Sequence, residues 1–380
     1  MKHGWEYKKF TDVCDVQYGF AFDSKFFTDN ENAMPLIRIR DVMRGYSETF
    51  YNGEIPNGYL INEGDYLVGM DGEFNIGRWG KRPGLLNQRV CKMSSSSKLL
   101  DNQYMYYFMK VCLKSIEDET PFVTVKHLSA KRINQIEIPL PPLLTQQSIA
   151  SELDKINDLI CLKREQLIDY DRLAKSLFYE MFGDPIENEK GWDVKKIGEI
   201  GTVERGAGIS KKDFVEEGLP CIHYGQLHTI LGPTTIHHHS CIPESLLPKY
   251  KIAHTNDVIM AITSEDVDGS CKSTVWLGNY DIVIGSDAAI LHHEQDGTFL
   301  SYYTMTKAFF NEKSKYAKGF KVTHISAKEI ENIPVYLPPL ALQKDFAKRI
   351  EVIEQQKENI KSTIQDLETL LASRMQYWFD

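Results

Sequence analysis

Arg38 and Arg40 stand two residues apart in the apolar run Leu36-Ile37-Arg38-Ile39, with Arg44 close behind. On an extended strand this spacing puts both guanidinium groups on one face. Arg78-Trp79-Gly80-Lys81-Arg82 is a basic loop around a glycine with an aromatic ring inside it, and Arg89 and Lys92 follow. In the second half of the chain His223 and Tyr224 take the place of Arg38 and Arg40, with Gln226 and His228 beyond them. Lys313, Lys315, Lys318 and Lys321 surround Gly319-Phe320. Arg and Gln side chains on strands and loops contact base edges, and lysines neutralise phosphates. Any one of these residues also reads as an ordinary solvated surface group. The Arg38/Arg40 pair and the 78–82 loop stand out from that background, and the lysine run less so. Arg38, Arg40, Arg44, Arg78, Lys81, Arg82, His223, Tyr224, Gln226, Lys318 and Lys321 are therefore the candidate nucleic-acid contacts.

Other chemistry is poorly represented. His237-His238-His239 with Cys241 could ligate a metal, but no carboxylate or second cysteine follows at ligand spacing, so a polar histidine loop fits better. No P-loop, HExxH pattern or nucleophile elbow occurs, and Gly206-Ala207-Gly208 lacks the third glycine of a dinucleotide site. Pro-Pro occurs twice, never in the Asn/Asp-Pro-Pro-Tyr setting of an amino-methyltransferase. The chain reads as non-catalytic by itself, with no metal or cofactor of its own. Its seven cysteines include no CxxC pair and read as reduced thiols.

The 380 residues suit two domains plus something extended. No run approaches the roughly 18 apolar residues of a membrane span, and Met1-Lys2-His3-Gly4-Trp5 does not begin a signal peptide, so the expectation is a cytoplasmic protein with no membrane partner. The net charge of −9 weakens a nucleic-acid reading without excluding it, because positive charge can gather on one face. Residues 1–142 hold 18 basic and 18 acidic side chains. Residues 184–339 hold 15 basic and 21 acidic ones, with 9 of the 11 histidines.

The elements that must position these residues come in duplicate. His127-Leu128-Ser129-Ala130-Lys131 returns as His324-Ile325-Ser326-Ala327-Lys328. Pro141-Pro142-Leu143 with Gln146 returns as Pro338-Pro339-Leu340 with Gln343. Gly4-Trp5-Glu6 with Lys8-Lys9 returns as Gly191-Trp192-Asp193 with Lys195-Lys196. Residues 1–142 and 184–339 thus read as two versions of one mixed domain. Short β-like runs (Leu36–Ile39, Tyr66–Val68, Val258–Ile262, Ile282–Ile284) lie between Gly, Asn and Asp breakers, and one helix per domain is predicted over about 101–116 and 298–311. Ile136–Pro142 and Ile333–Pro339 read as edge strands with extended exits, because proline cannot donate a ladder hydrogen bond.

Each Pro-Pro-Leu opens a long helix, 143–183 and 340–380. Ile149, Leu153, Ile156, Ile160, Leu167, Tyr170, Leu177 and Met181 recur at steps near 3 and 4, as do Phe346, Ile350, Ile353, Ile360, Ile364, Leu367, Leu371 and Trp378. Lys163 and Lys357 each interrupt the seam. Narrow seams of this kind suit two helices packed as a coiled coil, each about 60 Å long at 1.5 Å per residue. Docking of each helix on its own globular domain is the plainer alternative. The repeats agree at these frame positions and differ in the candidate reading loops, which suggests two recognition surfaces of different specificity.

The duplication, the Gly-Trp-x-x-Lys-Lys openings, the Pro-Pro-Leu-x-x-Gln helix entries and the central Phe178-Tyr179-Glu180-Met181-Phe182-Gly183-Asp184-Pro185 junction resemble the specificity subunit of Type I restriction–modification systems. The resemblance covers essentially the whole chain. It implies an α+β fold: two mixed α/β target-recognition domains (1–142 and 184–339) joined by two long helices (143–183 and 340–380) that form an antiparallel coiled coil, in a pseudo-two-fold internal repeat. It implies that each domain reads half of a bipartite, asymmetric double-stranded DNA target. It also implies that the helices set the gap and dock two methyltransferase subunits, and that restriction motor-nuclease subunits join that core. The chemistry would sit on partners: S-adenosylmethionine on the methyltransferase, ATP and Mg on the motor-nuclease. One departure is that the first half has Pro121-Phe122-Val123-Thr124-Val125-Lys126 where the second has Gly319-Phe320-Lys321-Val322-Thr323. Phe178, Phe182, Trp378 and Phe379, at the helix ends, are candidates for partner binding or for closing the domain–helix junctions. The alternative function is a coiled-coil protein-binding scaffold without specific DNA readout.

Overall fold

The computed structural model describes residues 4–80, 82–120, 126–209, 211–245, 250–317 and 322–379. The chain forms two compact units, residues 1–164 with 362–380, and residues 165–361. Each combines a mixed α/β globular part with half of each long helix.

In the first unit the strand after Gly4-Trp5, Glu6–Lys9, pairs antiparallel with Glu137–Leu140. The two ends of the repeated sequence therefore close on each other. Pro139 faces Tyr7 across this two-stranded sheet, where its missing N–H leaves no inner ladder bond unmade. A four-stranded antiparallel sheet runs Cys14–Tyr18, Val90–Ser95, Tyr66–Gly69, Ile76–Arg78 in spatial order. A second sheet contains the parallel pair Met34–Ile37 and Gly84–Leu86. Helix Asn102–Glu119 is capped by Asp101, which accepts from the amides of Gln103 and Tyr104. It buries Tyr104, Met105, Phe108 and Met109, a helical spacing, against the first sheet's core.

The second unit repeats this connectivity. Asp193–Lys196 pairs with Pro334–Leu337. Gly201–Arg205, Ala288–His293, Val258–Ala261 and Ser273–Trp276 form the equivalent sheet, extended by a parallel strand, Thr234–Thr235. The parallel pair recurs as Leu219–Ile222 with Ile282–Ile284. The single helix predicted over 298–311 is instead two, Gly297–Tyr303 and Lys307–Ser314. Thr306 is the cause: its Oγ1 donates to the Tyr303 carbonyl and accepts from the Phe309 amide, ending one helix and starting the next.

The long helices are Leu143–Phe182 and Leu340–Phe379. In the first unit Glu152 meets Arg374 and Arg164 meets Glu368, so the two segments run in opposite directions. In the second unit Asp171 meets Lys357 and Phe178 meets Phe346, again antiparallel. The seam also serves a second partner. Ile149 and Leu153 belong to the globular core of the first unit, and Phe346, Ile350 and Ile353 to that of the second. Docking on the globular part and helix pairing thus coexist.

The Pro-Pro-Leu-x-x-Gln motif has a structural reason. Gln146 is fully buried; its Oε1 accepts from the Asp101 amide at 2.9 Å, and its Nε2 donates to the Leu99 and Pro141 carbonyls at 2.7 and 2.9 Å. Gln343 accepts from the Asp296 amide at 3.0 Å and donates to the Pro338 carbonyl at 2.8 Å. In both units a buried amide ties the first turn of a long helix to the N-cap of the domain helix.

Candidate nucleic-acid interface

The arginine pair is not on a strand face. Strand Met34–Ile37 ends before Arg38, which is the N-cap of the short helix Ile39–Val42. Asp41 explains the turn: its Oδ2 accepts from the Arg38 amide at 2.8 Å, the N3-to-N-cap half of a capping box. Arg38 and Arg40 consequently flank a strand–helix turn, which corrects the expectation of a shared strand face. Both are exposed. Asp41 is completely buried, and its Oδ1 has no hydrogen-bond partner among the described residues. Burial raises its pKa above the ordinary carboxylate value, against the lowering effects of the Arg38 amide and the nearby Arg40. Arg40 donates to Thr49 Oγ1 at 2.9 Å and Arg44 pairs with Glu48 at 3.3 Å, whereas the Arg38 side chain makes no hydrogen bond or ion pair with a described residue.

The second unit builds the same turn from different residues. Strand Leu219–Ile222 leads to His223 as N-cap of helix Tyr224–Thr229. His223 Nδ1 accepts from the Gly225 amide at 3.2 Å, and Gln226 Oε1 accepts from the His223 amide at 2.9 Å. An accepting Nδ1 must be unprotonated; burial, assisted by Lys211, lowers the His223 pKa in that sense. Gln226 is held at its other end by Ser240 Oγ, 2.8 Å away. His223 and Gln226 therefore brace the turn. Tyr224, half-buried with its ring 4.6 Å from that of His223, is the candidate with a free hydroxyl among the described residues.

Arg78 ends the strand Ile76–Arg78 and is exposed, without hydrogen bond or ion pair to a described residue. The backbone brings this strand against the 39–45 turn: a side chain at Gly77 would lie 2.0 Å from the Val42 carbonyl oxygen, and the Gly80 amide donates to the Gly45 carbonyl at 2.9 Å. Arg38, Arg44 and Arg78 thus belong to one packed region. Trp79 and Arg82 of the same loop are structural. Trp79 is buried, and Arg82 donates to the carbonyls of Glu31 and Ala33 at 2.6 and 2.9 Å. Lys81, Lys318 and Lys321 lie outside the described residues. Lys313 is buried, donating to the carbonyls of Asp268 and Ser270.

Sequence reasoning treated His127 and His324 as frame residues only. In the structure His127 Nδ1 lies 2.5 Å from Asp71 Oδ1, and Arg89 Nη1 lies 2.8 Å from Asp71 Oδ2. In the second unit His324 Nδ1 lies 3.3 Å from Thr263 Oγ1, itself 3.4 Å from Asp287 Oδ1, which Arg205 approaches at 3.7 Å. The signal in the sequence was that both repeated segments begin with histidine. Among the described residues, no group of three His, Cys, Asp or Glu side chains could share a metal ion, and His238 Nδ1 instead meets the Tyr280 hydroxyl at 2.7 Å.

The aromatic residues at the helix ends divide. Phe178 and Phe182 are interior, within 6 Å of the rings of Phe299 and Phe346, which suits the second of their two expected roles, closing a domain–helix junction, and not a partner surface. Trp378 is half-buried, stacked on Trp5 with ring centres 6.4 Å apart and bonded through Nε1 to Glu152. Phe379 packs on Tyr104 and Phe108. These two close the domain–helix junction of the first unit.

Residues 2–169 and 189–369 match the Type I restriction modification DNA specificity domain. The chain belongs to that family. Relatives include the EcoBI specificity subunit of Escherichia coli, 43% identical over 144 residues, a match spanning 38% of this chain and 30% of that subunit. The MjaVIII specificity subunit of Methanocaldococcus jannaschii is 26% identical over 345 residues, covering 82% of this chain and 79% of the relative. Among solved structures, the S subunit of a Type I restriction-modification system from M. genitalium aligns over 100% of this chain and 98% of its own with a TM-score of 0.55 at 14% identity. A chain from a structure of a type I R-M system aligns with a TM-score of 0.59 at 16% identity, over 100% of this chain and 98% of that one. These likenesses show the two-domain α/β fold. As a member of the specificity family the chain is a DNA-recognition subunit, not an enzyme, and acts with DNA and the other subunits of its system. Among the described residues no helix is long and apolar enough to cross a membrane.

Proposed function

We propose that the chain reads a bipartite DNA target, one half-site per unit, and that the paired long helices set the distance between the halves. The observation that carries this reading is the duplicated strand–cap–helix turn. One frame presents Arg38, Arg40, Arg44 and Arg78 in the first unit, and Tyr224 braced by His223 and Gln226 in the second. Guanidinium groups favour guanine edges, whereas a tyrosine ring and hydroxyl suit other contacts, so equal frames with unequal tips give an asymmetric target. Joining two modules by a stiff spacer raises the effective concentration of the second for its half-site.

Two methyltransferase subunits dock on the helices and methylate adenine, with S-adenosylmethionine bound on those subunits. Motor-nuclease subunits carry ATP and Mg, and the complex works in the cytoplasm. Leu159 and Leu162, 46% and 59% exposed on the first long helix, replace Phe178 and Phe182 as docking candidates. The test is a chimera in which residues 184–339 are exchanged for those of a relative. One half of the methylated motif changes and the other stays. A change in both halves, or in neither, contradicts the two-module reading.

A further inference from the structure

The two units differ at their tips yet keep a half-exposed polar set at matching places. Asp71 and His127 face each other across an isolated antiparallel bridge; Thr263 and His324 face each other in a two-residue antiparallel ladder in the second unit. Both histidines are held through Nδ1 by the residue opposite, and Nε2 has no partner among the described residues. Each histidine is linked to an arginine–carboxylate pair, directly through the shared Asp71 in the first unit and through Thr263 in the second, and the residues have changed places. In the first unit the arginine is Arg89, just ahead of strand Val90–Ser95, and the acid is Asp71. In the second unit the acid is Asp287, just ahead of the equivalent strand Ala288–His293, and Arg205 comes from the neighbouring strand, also donating to the Ser286 carbonyl at 2.8 Å.

A set rebuilt from different positions is not explained by a copied frame. Stability explains little of it: Arg89 and Arg205 are both 55% exposed, against carboxylates 16% and 39% exposed, and surface ion pairs contribute about 0–1 kcal/mol. A guanidinium that spends one edge on a carboxylate keeps further N–H donors pointing elsewhere in a fixed orientation. A contact common to two modules that read different bases must address what all DNA shares, and that is the backbone.

We propose that Arg89 with His127, and Arg205 with His324, each grip one backbone phosphate beside the half-site read by their unit. The proposal rests on the reading of the chain as a DNA-recognition subunit. Asp71 and Asp287 are positioning residues that aim the arginines, and the exposed Lys131 and Lys328, four residues beyond the histidines, add positive charge nearby.

The test uses the intact chain in complex with its methyltransferase subunits. Affinity for two labelled duplexes, one with the methylated motif and one scrambled, is measured from 50 to 200 mM KCl. Arg89→Gln and Arg205→Gln each make the slope of log K against log salt shallower by about 1, weaken both duplexes alike and leave the methylated motif unchanged. Arg89→Lys restores the slope. An unchanged slope, a loss confined to the motif duplex, an altered motif or failure of the lysine to rescue overturns the phosphate site while the recognition reading stands. Absence of motif-specific binding by the unsubstituted complex overturns the recognition reading, and this site with it.

Discussion

Replacing Gln146 by leucine tests how a domain is fixed to its spacer. Leucine nearly preserves the volume but removes one acceptor and two donors in a fully buried place. The Asp101 amide and the Leu99 and Pro141 carbonyls then lose their partners. An orphaned buried group costs about 1–3 kcal/mol; the Pro141 carbonyl is buried and the Asp101 and Leu99 groups partly so, and the summed loss is about 3 kcal/mol. The first unit, of roughly 180 residues, melts about 2–4 °C lower per kcal/mol, so its transition falls by about 6–12 °C. Calorimetry measures that fall, and hydrogen exchange at the Asp101 amide reports the local opening. Gln343→Leu produces the equivalent loss in the second unit, where Gln343 holds the Asp296 amide. A fall of less than about 2 °C, with the Asp101 amide still protected, refutes the view that this glutamine ties helix to domain.

Acid stability depends on Glu152, whose carboxyl is held below its ordinary value of 4.5, first by its hydrogen bond to Arg374 and also by Trp378. A depressed folded-state value gives stability that is present above about pH 4.5 and lost as pH falls through the folded value, so in an acid titration Glu152→Gln flattens the decline of the first unit below that pH. Four-residue insertions placed together in 155–165 and in the facing stretch near 368 lengthen the spacer by about 6 Å, and the gap in the methylated motif, read by genome mapping, widens by about two base pairs. Arg78→Ala relaxes specificity in the half-site of the first unit alone, at a cost of about 1–3 kcal/mol in competition binding, while Tyr224→Ala alters the other half.

The frame was legible because it is written twice and rests on unambiguous chemistry. Gly-Trp opens a strand, Pro-Pro ends its partner, and the following glutamine marks the helix start. The periodic apolar seam announced both long helices. What was misread is where tertiary bonds decide. Leu36–Ile39 looks like one strand by its apolar, β-branched residues, but the Asp41 carboxylate turns the chain at Arg38. The break at Thr306 depends on a hydroxyl that serves equally well in a turn. Phe178 and Phe182 follow the helical spacing of a surface stripe, and only the second unit's aromatic core reveals them as interior. The Asp71–Arg89–His127 set escaped because its members are far apart in sequence and meet across a single bridge.

The most direct measurement is a base-modification map of the host genome with and without this gene. The account predicts that one split, asymmetric, adenine-methylated motif is present with the gene and absent without it. Identical maps, with an active methyltransferase partner demonstrated in the same cells, contradict it.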